Sequence, residues 1–333
     1  MQESGQTDSL DRDPGQTDSL DRGWSISFAG CGFMGVYYIG VAACLFQRCP
    51  ELVHRAARLY GSSAGALLAA ILTVEEACSE LMSLARGARA HRLGPLHPDF
   101  NLMQHVHNFL VRTLPVDAYV HASGRLFISV TRVPDRKNQL LSEFNSNEEL
   151  IQALICSCFV PFYCGIFPPK YRGVRYVDGA VSDNLPRCDQ KKTITISPYA
   201  GESDICPQLQ YTSQVLFNNM SIEVNPENLY RVTSTFFPPE PQVLAEICQN
   251  GFVDALRFLQ ENGEMFLLSW FCCKVPHYGT QNVLVEWLPD APTDLSWLYS
   301  VFSPIWKEEE EEEELTSRYL PLPQTPPPFR MIE

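Results

Sequence analysis

Residues 59–74 read LYGSSAGALLAAILTV, and the pentapeptide GSSAG at 61–65 decides how the chain is interpreted. The residues before it are typical of a buried strand, and the apolar residues after it are typical of a helix. A G-x-S-x-G sequence in that context predicts a nucleophile elbow, a sharp turn that exposes the hydroxyl of Ser63 at a helix N-terminus. Gly61 and Gly65 allow the backbones to come close. The alternative is a turn of small residues without chemistry.

A second glycine motif lies nearer the N-terminus. WSISFA at 24–29 alternates as a strand does, GCGFMG follows at 30–35, and residues 36–46 form an apolar run. Because residues 24–46 carry no charged side chain, a membrane span is one interpretation. Repeated glycines disfavour a single long helix. We therefore expect a strand, a glycine loop and a buried helix.

Asp178 ends a third apolar run and begins the tripeptide Asp178-Gly179-Ala180. The carboxyl ends of neighbouring parallel strands meet in one crevice, so we expect Asp178 to lie beside Ser63 and the glycine loop. A serine nucleophile needs a base and an oxyanion hole. The carboxylate can be the base, and backbone N–H groups of the loop can bind the oxyanion.

Two other interpretations of these motifs are weaker. The loop fits G-x-G-x-x-G, which also marks dinucleotide sites, but such a site needs an acidic residue at the end of a second strand. Glu51 is at that distance and begins a helix instead. A Ser-His-Asp triad in the usual hydrolase order places a histidine after the acid, and His277 in the tail is the one available. The sequence therefore favours a Ser-Asp pair.

Composition restricts the function further. The 333 residues fit one large α/β domain with tails, and the net charge of −14 comes largely from the two ends of the chain. No basic stripe is present that would indicate nucleic-acid binding. The polar N-terminus is not a signal peptide, so we expect most of the 12 cysteines to be reduced. Their spacing does not indicate zinc, and we expect no metal.

The organisation along the chain follows from shifts in composition. The polar octapeptide GQTDSLDR occurs twice at the N-terminus, and a Glu run and a Pro-rich stretch lie near the C-terminus. We expect four regions: a disordered repeat (1–23), the catalytic domain (24–191), a strand and helical extension packed on it (192–264), and a largely disordered tail (265–333).

Several longer phrases carry a family resemblance. From Trp24 to about Gly263 the chain resembles the patatin-like phospholipases, in particular the branch of adipose triglyceride lipase and adiponutrin. The matching phrases are SFAGCGFMG (27–35), YGSSAGAL (60–67), HASGRL (121–126), YRGVRYVDGAVSDNLP (171–186) and GESDICP (201–207). The resemblance implies a three-layer α/β/α sandwich around a mainly parallel central sheet.

The resemblance also implies residue roles. Ser63 is the expected nucleophile and Asp178 the expected general base, with Gly179 and Ala180 completing its motif. The expected oxyanion hole is the loop formed by Gly30, Cys31, Gly32, Phe33, Met34 and Gly35. Neither a metal nor a cofactor is implied.

The implied activity is hydrolysis of long-chain acylglycerol esters, of the triacylglycerol lipase type, at a lipid surface. Alternatives are a calcium-independent phospholipase A2 or acylglycerol transacylase with the same residues, or a low-turnover lipid-droplet regulator that sequesters a co-activator. Implied partners are a glycerolipid substrate, a lipid droplet or membrane surface, and an α/β-hydrolase-type protein co-activator. The expected location is cytoplasmic, peripheral to lipid droplets or the endoplasmic reticulum membrane.

Overall fold

The structure is a computed structural model that describes residues 23–74, 101–187, 193–208 and 213–271. The N-terminal repeat, which we expect to be disordered, lies outside these residues. So do His277 and the acidic and proline-rich parts of the tail.

A mixed sheet forms the centre of the domain. Its order is β5-β6-β3-β2-β1-β7, and β4 also pairs with β3. The pairs β1–β2, β1–β7 and β2–β3 are parallel, whereas β4 and β6 run antiparallel to β3. A separate hairpin joins β8 and β9. The strands are β1 (Ser25–Phe28), β2 (Arg58–Ser62), β3 (Leu126–Arg132), β4 (Asn138–Leu141), β5 (Lys170–Tyr171), β6 (Val174–Asp178), β7 (Thr193–Ile196), β8 (Gln214–Phe217) and β9 (Met220–Glu223).

Helices cover both faces of this sheet. Successive strand residues point to opposite faces, and Leu59 and Tyr60 of β2 are both buried. The arrangement is the expected α/β fold with a mainly parallel sheet. The helices are α1 (Val36–Arg48), α2 (Pro50–His54), α3 (Ala64–Val74), α4 (Leu102–Thr113), α5 (Ala118–Ala122), α6 (Asn147–Ser157), α7 (Pro226–Phe236) and α8 (Pro241–Phe271), with 3-10 turns at Gly32–Gly35 and Gly179–Val181.

The uncharged segment at 24–46 is part of the core. It forms β1, the first 3-10 turn and most of α1, and the side chains of Tyr37, Tyr38 and Val41 are almost completely buried. The expected strand, glycine turn and buried helix are confirmed. No helix in the described ranges is long and apolar enough to cross a membrane.

Strand β6 runs antiparallel to β3, whereas we expect Asp178 to end a strand that is parallel to its neighbours. Ser62 at the end of β2 lies opposite Ser129 of β3, and Asp178 at the end of β6 lies opposite Val130. Because β4 pairs with the other edge of β3 at these positions, β2 and β6 share one edge and approach each other end to end. The expectation of a parallel neighbour is therefore wrong, yet the strand ends still meet.

The last helix packs closely on the first. A side chain at Gly40 of α1 would collide with the carbonyl oxygen of Cys248 in α8, and one at Gly251 would collide with that of Tyr37. The Tyr37 hydroxyl donates a hydrogen bond of 2.7 Å to Asp254. Strand β7 lies in the main sheet beside β1, and α8 continues to Phe271.

Replacing Gly40 with alanine tests this packing. Alanine has the better helix propensity by about 1 kcal/mol, but its methyl group would force the two helix backbones apart. We expect Gly40→Ala to lower the free energy of unfolding by about 1–3 kcal/mol in urea denaturation. Gln47→Ala, on the exposed side of the same helix, is the matched control and should change it by less than about 0.5 kcal/mol. Equal stability of the two variants would contradict the close packing.

Candidate active site

Ser63 lies in a strained turn between β2 and α3. Its φ is +52°, a left-handed conformation that non-glycine residues rarely adopt. A side chain at Gly65 would collide with the backbone of Phe28 and Ala29 at the end of β1, and one at Gly61 would collide with Gly65 itself. Both glycines are therefore required by close backbone contacts, as expected for a nucleophile elbow.

A buried serine holds this turn in place. The N–H of Ser63 donates to Ser157 Oγ at 2.9 Å, and the hydroxyl of Ser157 donates to the Ser129 carbonyl at 2.7 Å. Ser157 is completely buried at the end of α6. Sequence reasoning missed it; the available signal was a hydroxyl inside the apolar run LICSCF at 154–159. Ser157 therefore ties the elbow to β3. Because the N–H of Ser63 is occupied by this hydrogen bond, it is not available to an oxyanion.

The carboxyl group of Asp178 lies next to the elbow and is 3% exposed. Burial raises its pKa from 3.8 to about 6, and hydrogen bonds from the Ala180 N–H and from the hydroxyls of Ser63 and Ser62 oppose that shift. The Ala180 bond is 2.8 Å and the Ser62 bond is 3.5 Å. Asp178 is thus ionised at neutral pH and can accept the Ser63 proton.

Some backbone N–H groups of the glycine loop donate hydrogen bonds within the protein, and others do not. The N–H of Gly30 is bonded to Asn184, and that of Met34 to the Cys31 carbonyl at 3.1 Å. Within the described residues no acceptor bonds to the N–H groups of Gly32 and Phe33. The N–H of Cys31 likewise has no acceptor in the described ranges, so three successive N–H groups at the start of the 3-10 turn can donate to an oxyanion.

A predominantly apolar cavity of about 400 Å³ connects these groups. Ser63, Asp178, Ala180 and the first four loop residues line it, whereas the remaining predicted site residues, Met34, Gly35, Gly61, Gly65 and Gly179, lie behind its wall. Such a volume and lining suit a hydrocarbon chain next to one reactive polar centre. Apolar lining residues are Val36, Leu67, Leu102, Met103, Val106, Val160, Phe217, Ile222, Val232 and Phe236.

Histidines and metal ligands are not part of this cavity as far as the structure describes it. None of the four described histidines lines it. His121 lies on the surface, where its Nε2 is 3.4 Å from a carboxylate oxygen of Asp117. The described ranges also contain no cluster of three or more His, Cys, Asp or Glu side chains suited to a metal ion.

Comparison with known proteins identifies this arrangement. A family model described as patatin-like phospholipase matches residues 26–187, the segment that carries the glycine loop, Ser63 and Asp178. The chain carries a patatin-like phospholipase domain. The match includes both catalytic candidates and most of the main sheet.

Several relatives of the patatin-like domain are close in sequence. The chain is 54% identical over 246 residues to human patatin-like phospholipase domain-containing protein 2, covering 72% of this chain and 49% of that protein. It is 46% identical over 248 residues to the human 1-acylglycerol-3-phosphate O-acyltransferase PNPLA3, covering 73% and 52%. These relatives agree with the expected branch. The chain spans about half the length of the curated relatives it matches.

The comparison with solved structures includes a match to the crystal structure of VipD from Legionella pneumophila. The match has a TM-score of 0.43 at 14% sequence identity and covers 72% of this chain and 67% of VipD.

Asn184 connects the two catalytic motifs of the patatin-like domain, and sequence reasoning missed it. Its Oδ1 accepts from the Gly30 N–H at 2.9 Å, and its Nδ2 donates to the Gly30 carbonyl at 3.3 Å. The side chain is 2% exposed and lies in the cavity wall, six residues after Asp178. It therefore fixes the start of the oxyanion loop relative to the base.

Asn184→Ala should loosen the loop without removing a reacting group. We expect kcat to fall by about 10- to 100-fold with KM changed much less, because misplaced donors bind the transition state poorly. The measurement is steady-state kinetics on a soluble short-chain ester. Asn147→Ala is the control, since Asn147 also joins two backbone groups, those of Tyr119 and Pro115, but lies outside the cavity wall. Normal kcat in a folded Asn184→Ala protein would contradict this role.

Proposed function

We propose that this protein hydrolyses long-chain acylglycerol esters, with triacylglycerol as the leading substrate, through the pair Ser63 and Asp178. The observation that carries the proposal is the buried carboxyl of Asp178, whose pKa is raised to about 6 and which hydrogen-bonds to Ser63 in a predominantly apolar cavity. The polar reacting groups and the apolar surface that would hold an acyl chain therefore line the same cavity. The similarity to patatin-like phospholipases supports the reaction class.

In the acylation step, Ser63 Oγ attacks the ester carbonyl and its proton passes to Asp178. The negative charge that develops on the carbonyl oxygen is stabilised by the N–H groups of Gly32 and Phe33. The C–O bond to the leaving alcohol then breaks, and Asp178 returns the proton to that oxygen. The products are an acyl-enzyme on Ser63 and a released diacylglycerol or other alcohol.

In the second step, water attacks the acyl-enzyme with Asp178 as base, which releases a fatty acid and restores Ser63. A glycerolipid alcohol in place of water would give acyl transfer by the same chemistry. The name of one relative, a 1-acylglycerol-3-phosphate O-acyltransferase, favours transfer as the second candidate function. A phospholipase A2 activity would use the same two residues.

The wider setting is also part of the proposal. We place the enzyme in the cytoplasm, on lipid droplets or the endoplasmic reticulum membrane, under control of an α/β-hydrolase-type co-activator. These points rest on the family resemblance alone. The rival in a different class is a droplet protein that binds the co-activator with little turnover.

Ser63→Ala tests the nucleophile, and the substrate panel tests the specificity. We expect the unsubstituted chain to react covalently with a fluorophosphonate and to release fatty acid from triolein faster than from phosphatidylcholine or monoolein. Ser63→Ala should do neither, because the hydroxyl that attacks the ester or the fluorophosphonate is removed. The Ser62→Ala variant is the matched control and should retain labelling. Absence of labelling at Ser63 in folded protein would favour the non-enzymatic rival. Transfer of the acyl group to added diacylglycerol, in place of water, would favour the acyltransferase.

The pH dependence tests the base. Below pH 6 Asp178 becomes protonated and cannot accept the Ser63 proton, so kcat/KM should fall about tenfold per pH unit on the acid side. A carboxyl ionises with little enthalpy, so the midpoint should shift little with temperature, unlike that of an imidazole. Asp178→Asn should lose nearly all turnover.

The control for the pH experiment is a set of alanine variants at all seven histidines, each checked for folding by circular dichroism. All should retain the acid limb near pH 6. A folded histidine variant as inactive as Ser63→Ala would replace the pair with a triad.

A further inference from the structure

Helix α7 has the reverse of the usual amphipathic pattern. Its inward side is polar: Asn228 is 2% exposed and Ser234 is 3% exposed. Asn228 bonds to the backbone N–H and carbonyl of Ala200 and to the carbonyl of Glu223, each at 2.9 Å. The helix is therefore attached to the domain through hydrogen bonds.

The outward side of α7 is apolar instead. Leu229, Val232 and Phe236 follow the spacing i, i+3 and i+7, which places them on one stripe. They are 68%, 39% and 37% exposed. A helix in a soluble domain normally buries such a stripe, so its exposure here requires a reason.

Two further segments present apolar side chains beside this stripe. In the turn after α6, Phe162 is 89% and Phe167 is 79% exposed; in strand β8, Leu216 is 74% and Phe217 is 49% exposed. The turn touches the helix directly, since the Tyr163 hydroxyl donates to the Phe236 carbonyl and the two rings stack edge to face. We call Phe162, Phe167, Leu216, Phe217, Leu229 and Phe236 the apolar rim.

The rim adjoins the catalytic cavity through two of its members, Phe217 and Phe236. Phe217, Val232 and Phe236 are exposed to solvent and also line the cavity, so its wall continues onto the surface. Residues 159–169 contain no charged residue, and neither does β8. Exposed apolar side chains of the rim are therefore connected, through Phe217, Val232 and Phe236, to the cavity that contains Ser63.

We propose that the apolar rim is a docking surface for a lipid monolayer or bilayer. An acyl chain that leaves the lipid phase across this rim reaches the cavity without passing through water. A protein partner fits less well, because protein interfaces combine apolar contacts with a polar rim, whereas this surface is continuous with a lipid-sized cavity. The proposal names the surface used by the proposed lipid hydrolase and rests on that function.

The test is a triple variant of the full-length chain, Phe167→Gln with Leu216→Gln and Leu229→Gln. None of the three residues lines the cavity. Binding to phosphatidylcholine vesicles is measured by cosedimentation. We expect the partition coefficient to fall by about tenfold or more, because the apolar area inserted among the lipids is lost. Labelling of the serine by a soluble fluorophosphonate should proceed at the unsubstituted rate.

The matched control replaces three exposed valines outside the rim, Val116→Gln with Val120→Gln and Val253→Gln, and should bind vesicles normally. Vesicle binding by the rim variant equal to that of the control would overturn the proposal. So would a dimer of the unsubstituted chain that dissociates in the rim variant without any change in vesicle binding, since the surface would then pair two copies. Failure of the unsubstituted chain to react with the fluorophosphonate would instead count against the proposed function alone.

Discussion

The active site depends on keeping one carboxyl group out of water. In solution, an aspartate with a pKa near 4 is a weak base at neutral pH, and burial corrects this by disfavouring the ionised form of Asp178. The groups that bond to the carboxylate, the Ala180 N–H and the hydroxyls of Ser62 and Ser63, are all neutral. A neighbouring cation would have stabilised the charge and weakened the base. Desolvation with neutral donors keeps the carboxylate reactive.

The position of that carboxyl group follows from the sheet. Strands β2 and β6 approach each other along one edge of β3, so the elbow and the DGA motif meet where the two strands end. The contact is tight, since a side chain at Gly179 would collide with the backbone of Ser129. Ser157 and Asn184 then fix the elbow and the oxyanion loop by hydrogen bonds. Strain at Ser63 persists because its surroundings are fixed on several sides.

The sequence was most informative where function depends on local geometry. The conformation of a turn depends on residues that are adjacent in the sequence. The elbow, the glycine turn and the DGA motif could therefore be located before any fold was known. The antiparallel direction of β6 could not, because strand pairing is a long-range choice that alternation does not encode. Asn184 and Ser157 escaped notice for a similar reason: their partners Gly30 and Ser63 lie 154 and 94 residues away. The sequence period of α7 predicts a helix but does not tell which side of that helix faces the domain, so the exposure of the apolar stripe could not be predicted.

The two sides of α7 have a spatial consequence. The Thr235 carbonyl of this helix lies so close to Gly32 that a Cβ atom there would collide with it, so the backbone of α7 packs directly against the glycine loop. Only the thickness of one helix therefore lies between the exposed side chain of Leu229 and the backbone contact with Gly32. If lipid covers the stripe as we propose, the same helix would contact the lipid on one side and limit the space at Gly32 on the other.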